Sequence, residues 1–182
     1  MILVTGGARS GKSRFAEKKA EEFKVKLDSN VMYVATSIGF DAEMKDRINK
    51  HKESRNNQWI TLEKYRGFDK SDDNEKCEVI LLDCLTLMIS NIILESGYDF
   101  DKITPKEVDK LEESVEAEIK EFIGSFTGKE VIIVSNEVGL GIVPAYKLGA
   151  IFRDIAGRMN QMIARLSDAV YLLVAGIEIR VK

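Results

Sequence analysis

A glycine-rich segment between a short apolar run and a helical pattern constrains this chain more than any other feature. Residues 1–4 form the apolar run, and residues 14–23 carry helical spacing. The segment between them matches the pattern G-x4-G-K-[ST] at every fixed position and consists of Gly6, Gly7, Ala8, Arg9, Ser10, Gly11, Lys12 and Ser13. A strand, a glycine-rich turn and a helix are the context that this phosphate-binding motif requires. The sequence therefore predicts a phosphate-binding loop after the first strand, the alternative being an accidental glycine turn before a helix.

The residue types of this loop indicate a bound nucleotide. Glycines let successive backbone N–H groups point at phosphate oxygens, and the following helix contributes the positive end of its dipole. In such loops the lysine, here Lys12, reaches the β- and γ-phosphates, and the hydroxyl of Ser13 binds Mg²⁺. We therefore expect a nucleotide site with Mg²⁺ that contains both residues.

Apolar strands alternate with helical patterns along the rest of the chain. We expect further strands at residues 31–35, 58–62, 79–83, 130–135, 169–175 and 177–182, the second and the last of them at edges of the sheet. Helices are expected at residues 42–54 and 85–94, from Pro105 onward, and after Pro144. This alternation predicts one α/β domain over residues 1–182, with a mainly parallel sheet and helices on both faces.

Some expectations concern burial. Residues 64–77 are charged and are expected to form a solvated loop or a short helix. The last helix should turn a stripe of apolar side chains to the core, namely Leu148, Ile151, Phe152, Ile155, Met159, Met162, Ile163 and Leu166. Of the two cysteines, Cys77 and Cys84, one is expected near the surface and the other in the core.

Bulk composition excludes several classes of function. The net charge of −3 argues against broad binding to nucleic acids or membrane surfaces, which requires a basic excess. No apolar run approaches the roughly 18 residues of a membrane span, and the chain starts with a strand pattern rather than a signal peptide. Two cysteines fit neither a disulfide framework nor a zinc pattern, so they indicate reduced thiols in a cytoplasmic protein.

Polar residues follow several predicted strands at the edge of the sheet where ligands of such folds bind. They are the glycine-rich loop, Thr36-Ser37, Asp83 and Asn136-Glu137. Asp83 closes a run of four apolar residues, the Walker B arrangement, so its carboxylate is expected to hold Mg²⁺ directly or through water. Asp83 can instead cap the helix that follows, and the two roles are compatible.

The chain has a single histidine, His51, in the helix expected at residues 42–54. Arg47, His51 and Arg55 are four residues apart and therefore share one stripe of that helix. Two flanking cations disfavour the imidazolium and attract phosphate, which favours a neutral, nucleophilic ring beside a nucleotide. The alternative is a structural or merely exposed histidine.

Two other segments have open interpretations. The loop that begins with Asn136-Glu137 contains Gly139 and Gly141, and it is either a substrate or subunit contact or an ordinary connection. The last helix also has a polar side, which can be a solvated face, a subunit contact or a contact with substrate. It consists of Arg153, Asp154, Arg158, Asn160 and Gln161.

The sequence resembles the bifunctional adenosylcobinamide kinase/adenosylcobinamide-phosphate guanylyltransferase family over essentially its whole length. The resemblance is weak at residues 64–78 and 95–130. The block of Arg47, His51 and Arg55 together with the loop at residues 136–144 is the most specific part. The matching segments are residues 2–13, 33–37, 41–44, 47–51, 82–86, 136–139, 141–144, 152–158 and 160–161, with Arg55, Trp59, Glu63, Ser90 and Asn91.

The resemblance implies a cobalamin-pathway enzyme with two reactions. The enzyme phosphorylates adenosylcobinamide with ATP or GTP, and it then transfers GMP from GTP to that phosphate, giving adenosyl-GDP-cobinamide and pyrophosphate. The resemblance implies that His51 takes GMP covalently. It also implies a three-layer, RecA-like P-loop fold and a homotrimer. The positions that it associates with the guanine nucleotide are Ala35, Thr36, Ser37, Lys52, Glu53, Ser54, Arg55, Glu63 and Asp83.

Two alternatives remain from the residues alone. A small-molecule kinase without a covalent intermediate would use His51 only as a phosphate contact. A P-loop regulatory or motor subunit would act on a macromolecule, but the chain lacks a basic stripe and lacks a glutamate immediately after Asp83.

The two reactions implied by the resemblance differ in the phosphorus atom that is attacked. A kinase directs attack at the γ-phosphorus of the nucleotide, whereas guanylylation of His51 directs it at the α-phosphorus.

Overall fold

The computed structural model describes residues 1–37, 59–73, 75–140 and 143–182. The helix expected at residues 42–54, with Arg47, His51 and Arg55, lies outside the described residues. The described strands are β1 (Ile2–Gly6), β2 (Asn30–Ala35), β3 (Ile60–Glu63), β4 (Cys77–Asp83), β5 (Glu130–Val134), β6 (Ala169–Val174) and β7 (Ile177–Arg180). The described helices are α1 (Lys12–Leu27), α2 (Leu85–Glu95), α3 (Pro105–Ser125) and α4 (Lys147–Leu166), with a 3-10 turn at Lys70–Asp72.

The seven strands form one sheet in the order β3-β2-β4-β5-β1-β6-β7. All neighbouring strands are parallel except β6 and β7, which pair as an antiparallel hairpin. β3 and β7 lie at the two edges, as their short patterns predict. β1 is buried along its whole length because helices cover both faces of the sheet, which explains its nearly continuous apolar sequence.

Side chains alternate between two cores on opposite faces of the sheet. Leu3 belongs to the core that α2, α3 and α4 cover, whereas Ile2 and Val4 belong to the core that packs on α1. A strand directs successive side chains to opposite faces, so one apolar run fills both layers. The predicted three-layer α/β fold with a mainly parallel sheet is confirmed.

The start of α3 is specified locally. Thr104 accepts a hydrogen bond from the backbone N–H of Glu107, and the Glu107 carboxylate accepts one from the backbone N–H of Thr104. Pro105 occupies the first turn, where its missing N–H has no helical partner to lose. Such a cap stabilises a helix by about 1 kcal/mol.

Two burial expectations are wrong. Both cysteines are buried, although one of the two was expected near the surface. Cys77 is fully buried because β4 lies between β2 and β5 and its first residue is already covered. Leu166 is 55% exposed although its spacing matches the stripe, because it is the last residue of α4, beyond the buried Ile163. The expected loop or short helix at residues 64–77 contains the 3-10 turn, but Phe68 within it is buried against Phe122.

Candidate functional site

A cavity of about 820 Å³ lies at the carboxyl ends of the strands. The residues that line it come from the glycine-rich loop, the ends of β2, β4 and β5, and the start of α1. They are Ala8, Arg9, Ser10, Gly11, Lys12, Ser13, Arg14, Tyr33, Ser37, Asp83, Cys84, Leu87, Val134, Asn136, Glu137 and Val138. The structure thus brings together the loop, Ser37, Asp83 and the Asn136-Glu137 segment.

The glycine-rich loop is shaped by close backbone approach. A Cβ atom at Gly6 would lie 2.4 Å from the carbonyl oxygen of Leu173 in β6, so only glycine fits there. Gly11 has φ of 94°, a conformation that favours glycine, at the residue before α1. The carbonyl of Ser10 accepts a hydrogen bond of 2.9 Å from the backbone N–H of Gly176, between β6 and β7.

The hydroxyl of Ser10 is an orphaned polar group in this loop. Ser10 is 7% exposed, and within the described parts of the chain its Oγ has no hydrogen-bond partner. A buried hydroxyl without a partner is costly, and it suits a site where a ligand completes the hydrogen bonds. A phosphate oxygen has the acceptor character that this hydroxyl and the loop N–H groups need.

Lys12 begins α1 and is only 7% exposed. Its ammonium donates a hydrogen bond of 2.6 Å to the carbonyl of Gly7, so the side chain folds back over the loop. Burial lowers the pKa of Lys12, and the neighbouring Cys84 and Asp83 partly oppose that effect. The ammonium is therefore held over the position where the motif places the terminal phosphates.

Asp83 ends β4 and is fixed by buried neighbours. Tyr33, itself 2% exposed, donates its hydroxyl hydrogen to Oδ2 of Asp83 at 3.0 Å. The following residue, Cys84, exchanges two backbone hydrogen bonds with the hydroxyl of Thr36, at 2.8 and 2.9 Å. The N-cap of α2 is Cys84, without a side-chain cap hydrogen bond, so the structure gives no support to the alternative in which Asp83 caps this helix.

The expected nucleotide positions on neighbouring strands lie in one row. Glu63 of β3 is in register with Ala35 of β2, and Ala35 is in register with Asp83 of β4. Ser37 lines the cavity, whereas Thr36 is buried and supports Cys84. Glu63 is exposed at the edge of the sheet, on the side of β2 away from the glycine-rich loop.

A buried polar cluster joins the ends of β4 and β5. Asn136 donates a hydrogen bond of 2.5 Å to the hydroxyl of Thr86, which also lies 3.2 Å from the sulfur of Cys84. Burial raises the pKa of the Cys84 thiol, so the group stays neutral and unreactive near neutral pH. Asn160 of α4 supports the cluster from behind by donating to the carbonyl of Asn136 at 3.1 Å.

Glu137 is a second carboxylate in the cavity, to which sequence reasoning assigned no chemistry. Its backbone N–H donates to the carbonyl of Gly6 at 3.0 Å, and its Oε1 accepts the hydroxyl hydrogen of Thr5 at 2.8 Å. Unlike Asp83, Glu137 is exposed. The signal in the sequence was an acidic residue shortly after a buried strand, in a loop for which substrate or subunit contact was one of two interpretations.

The polar side of α4 makes contacts within the chain. Arg158 pairs with Glu112 of α3 at 2.5 Å, and Arg153 pairs with its neighbour Asp154 at 2.7 Å. Asn160 is buried and accepts the hydroxyl hydrogen of Ser135 at 2.5 Å.

Two apolar side chains in the loop that follows Glu137 are exposed. Leu140 is 88% exposed and Val143 is 86% exposed.

The donor set of the cavity fits Mg²⁺. In the described ranges there is no group of three or more histidine, cysteine or acidic side chains that could hold a metal alone. Mg²⁺ is usually bound by one or two protein oxygens together with water and substrate phosphates. The Ser13 hydroxyl and the Asp83 carboxylate supply such oxygens, since both residues line the cavity.

Five of the expected site residues, His51, Lys52, Glu53, Ser54 and Arg55, lie outside the described residues. Within the described part of the chain, none of the helices has the length and apolar character needed to cross a membrane.

Comparison with known proteins gives a consistent result. A family model described as "Cobinamide kinase / cobinamide phosphate guanyltransferase" matches residues 2–181. The "Bifunctional adenosylcobalamin biosynthesis protein CobU" of Escherichia coli (strain K12) is 43% identical, with 100% of this chain and 99% of the relative covered. Its namesake in Salmonella typhimurium is 42% identical with the same coverage. The "Bifunctional adenosylcobalamin biosynthesis protein CobP" of Pseudomonas aeruginosa is 36% identical, over 99% of this chain and 96% of the relative.

Among solved structures, the flagellar accessory protein FlaH from Methanocaldococcus jannaschii aligns with 100% of this chain and 77% of its own. The two share 15% identity, and the TM-score is 0.41.

Proposed function

The chain belongs to the cobinamide kinase / cobinamide phosphate guanyltransferase family, and from that premise we propose that one nucleotide site performs two successive transfers. The enzyme phosphorylates adenosylcobinamide and then transfers GMP from GTP to adenosylcobinamide phosphate, in cobalamin biosynthesis. The observation that carries this proposal is the family match over residues 2–181, with the glycine-rich loop and Asp83 lining one cavity.

We propose that the triphosphate of ATP or GTP lies along residues 6–13. The orphaned Ser10 hydroxyl and the loop N–H groups bind phosphate oxygens, and Lys12 offsets negative charge on the β- and γ-phosphates. Ser13 and Asp83 would hold Mg²⁺, which supplies charge neutralisation at the same phosphates. Because both reactions release or transfer terminal phosphates, these residues serve both.

The guanine nucleotide is proposed to extend from the loop toward β2 and β3. The row formed by Asp83, Ala35 and Glu63 supports this direction, and Ser37 lines the cavity there. Thr36 contributes indirectly, because it is buried and fixes Cys84 next to Asp83. The segment from Lys52 to Arg55, with Glu53 and Ser54, completes the proposed set on the strength of the resemblance.

We propose His51 as the residue that accepts GMP. A neutral imidazole nitrogen attacks the α-phosphorus of GTP, a P–N bond forms, and the bond to pyrophosphate breaks. The unperturbed pKa of histidine is about 6.5, so the neutral ring is available near pH 7. Transfer of GMP to cobinamide phosphate then regenerates the ring, with Arg47 and Arg55 placed by the sequence to bind phosphate.

The protein is proposed to be a cytoplasmic homotrimer with no nucleic-acid partner. Cys77 and Cys84 are both free, as expected of a reducing compartment. The β6–β7 hairpin offers apolar surface for a neighbouring copy: Val174, Ile177, Ile179 and Val181 are 52%, 67%, 49% and 64% exposed. Val174 and Ile177 are in register, so these alternate residues lie on one face of the hairpin.

Subunit assembly is tested by light scattering after gel filtration. Ile179→Lys places a charge on the apolar face and should shift the mass toward that of a monomer. Glu178→Lys changes the charge on the opposite face of the same strand and is the control. A wild-type monomer would contradict the trimer, and unchanged assembly in Ile179→Lys would contradict this interface.

The proposed chemistry is tested with GTP labelled either at the α- or at the γ-phosphate. Both labels should reach the corrinoid, the γ-label in the first reaction and the α-label in the second. Transfer of the γ-label alone would favour the single-activity kinase. Nucleotide hydrolysis without transfer of either label would favour the P-loop regulatory protein.

A further inference from the structure

We propose that Glu137 is the catalytic base of the kinase reaction, the group that takes the proton from the acceptor hydroxyl. This inference rests on the proposed function, because it assigns a residue to one of its two reactions. It concerns a position to which the glycine-rich motif, the Walker B pattern and the histidine block give no role.

The position of Glu137 is fixed relative to the phosphate-binding loop. Its backbone N–H donates to the carbonyl of Gly6, the first residue of the loop, at 3.0 Å. Its Oε1 accepts from the hydroxyl of Thr5, the residue before the loop, at 2.8 Å. Two contacts with β1 therefore hold the carboxylate beside the loop, with the second oxygen able to accept a proton.

The other described acids of the cavity are less suited to this task. Asp83 accepts the hydroxyl hydrogen of Tyr33 and is the proposed metal ligand. Cys84 is buried, and its sulfur lies 3.2 Å from the hydroxyl of Thr86, on the inner side of the polar cluster. Glu137 is exposed and lines the same cavity, so an incoming substrate has access to it.

Only the kinase reaction requires a base. Its acceptor is an alcohol, which must lose a proton as its oxygen bonds to the γ-phosphorus. The bond from the γ-phosphorus to the β–γ bridging oxygen breaks, and the nucleoside diphosphate leaves with that electron pair. The proton passes to Glu137 and later to solvent. In guanylyl transfer the acceptors are a neutral imidazole nitrogen and a phosphate oxygen that is already anionic, so no proton has to be removed before attack.

The two reactions of one protein therefore provide an internal control. Glu137→Gln keeps the size of the side chain and an oxygen that accepts from Thr5, but it removes the base. Phosphorylation of adenosylcobinamide should fall roughly 10²–10⁴-fold in kcat, the range for general bases. GMP transfer to separately supplied adenosylcobinamide phosphate should continue at the wild-type rate, and KM for the nucleotide should not change.

Three further variants sharpen this test. Glu137→Asp keeps a displaced carboxylate and should recover part of the kinase activity lost in Glu137→Gln. Thr5→Val removes the hydrogen bond that holds the carboxylate and should reduce only the kinase reaction, by less than Glu137→Gln. Glu130→Gln changes an acid at the opposite end of β5 and should alter neither reaction.

Equal loss of both reactions in Glu137→Gln would overturn the proposal in favour of a structural role, and so would unchanged kinase activity. Failure of the proposed function looks different, because the wild-type protein would then phosphorylate no adenosylcobinamide.

Discussion

Asp83 and Glu137, the two carboxylates that line the cavity, lie at the carboxyl ends of the neighbouring strands β4 and β5. They differ in what holds them in place. Asp83 is fixed from the interior of the protein. The buried Tyr33 donates a hydrogen bond to its carboxylate, and Thr36 hydrogen-bonds to the backbone of the next residue, Cys84. Glu137 is exposed and is held by Thr5 and Gly6 of the adjacent strand. An acid fixed from within suits the metal and nucleotide that are proposed to serve both reactions. An exposed acid suits contact with the acceptor molecule, because the acceptor differs between the two reactions.

The largest effect is expected from Lys12→Ala, which removes the cation that is proposed to serve both reactions. Kinase and guanylyl-transfer activity should both be abolished, because the charge on the β- and γ-phosphates is no longer offset. Separate assays with adenosylcobinamide and with adenosylcobinamide phosphate measure the two losses. Lys18→Ala, on an exposed position of α1, is the matched control. Loss of one reaction with the other intact would contradict a shared phosphate site.

His51→Ala should abolish guanylyl transfer and spare the kinase reaction, which is the reverse of the pattern expected for Glu137→Gln. Incubation of the wild-type protein with GTP and Mg²⁺ should add the mass of one GMP, and the P–N bond should be labile in acid and persistent in alkali. The variant should show no adduct while keeping much of its kinase activity, since γ-transfer needs no histidine. An adduct that survives in the variant would exclude His51 as the acceptor.

Asp83→Asn should lower both reactions by orders of magnitude without abolishing them. Asparagine keeps the shape and an oxygen for Tyr33 but removes the charge that is proposed to anchor Mg²⁺. Activity should recover in part as the Mg²⁺ concentration is raised, which a metal titration of each reaction measures. Wild-type activity at low Mg²⁺ would show that Asp83 is not the metal ligand.

Tyr33→Phe should have the smallest effect. It removes the hydrogen bond to Asp83 but leaves the carboxylate and the aromatic ring in place. We expect the Mg²⁺ concentration for half-maximal activity to rise equally in both reactions, and by less than in Asp83→Asn. Tyr171→Phe, at a partly buried tyrosine that packs on Phe15, is the control. A rise confined to one reaction would contradict the role of Asp83 as a shared residue.

Local sequence patterns were sufficient to predict the glycine-rich loop, the strands and the position of Asp83 at the end of β4, because each of these features depends on adjacent residues. Glu137 is different, since its contact with Thr5 joins residues 132 positions apart and leaves no local trace. The same holds for Tyr33 and Asp83, which are separated by 50 positions. The burial of Cys77 depended on strand order, and the exposure of Leu166 depended on where α4 ends.

The hairpin of β6 and β7 has a consequence for anyone who shortens or tags this protein. Its turn donates from Gly176 to the carbonyl of Ser10, and its strand carbonyl at Leu173 leaves no space for a side chain at Gly6. The β6–β7 hairpin therefore braces the glycine-rich loop at residues 6–13. Trimming the β6–β7 hairpin would remove this support from the glycine-rich loop while deleting none of the residues that line the cavity.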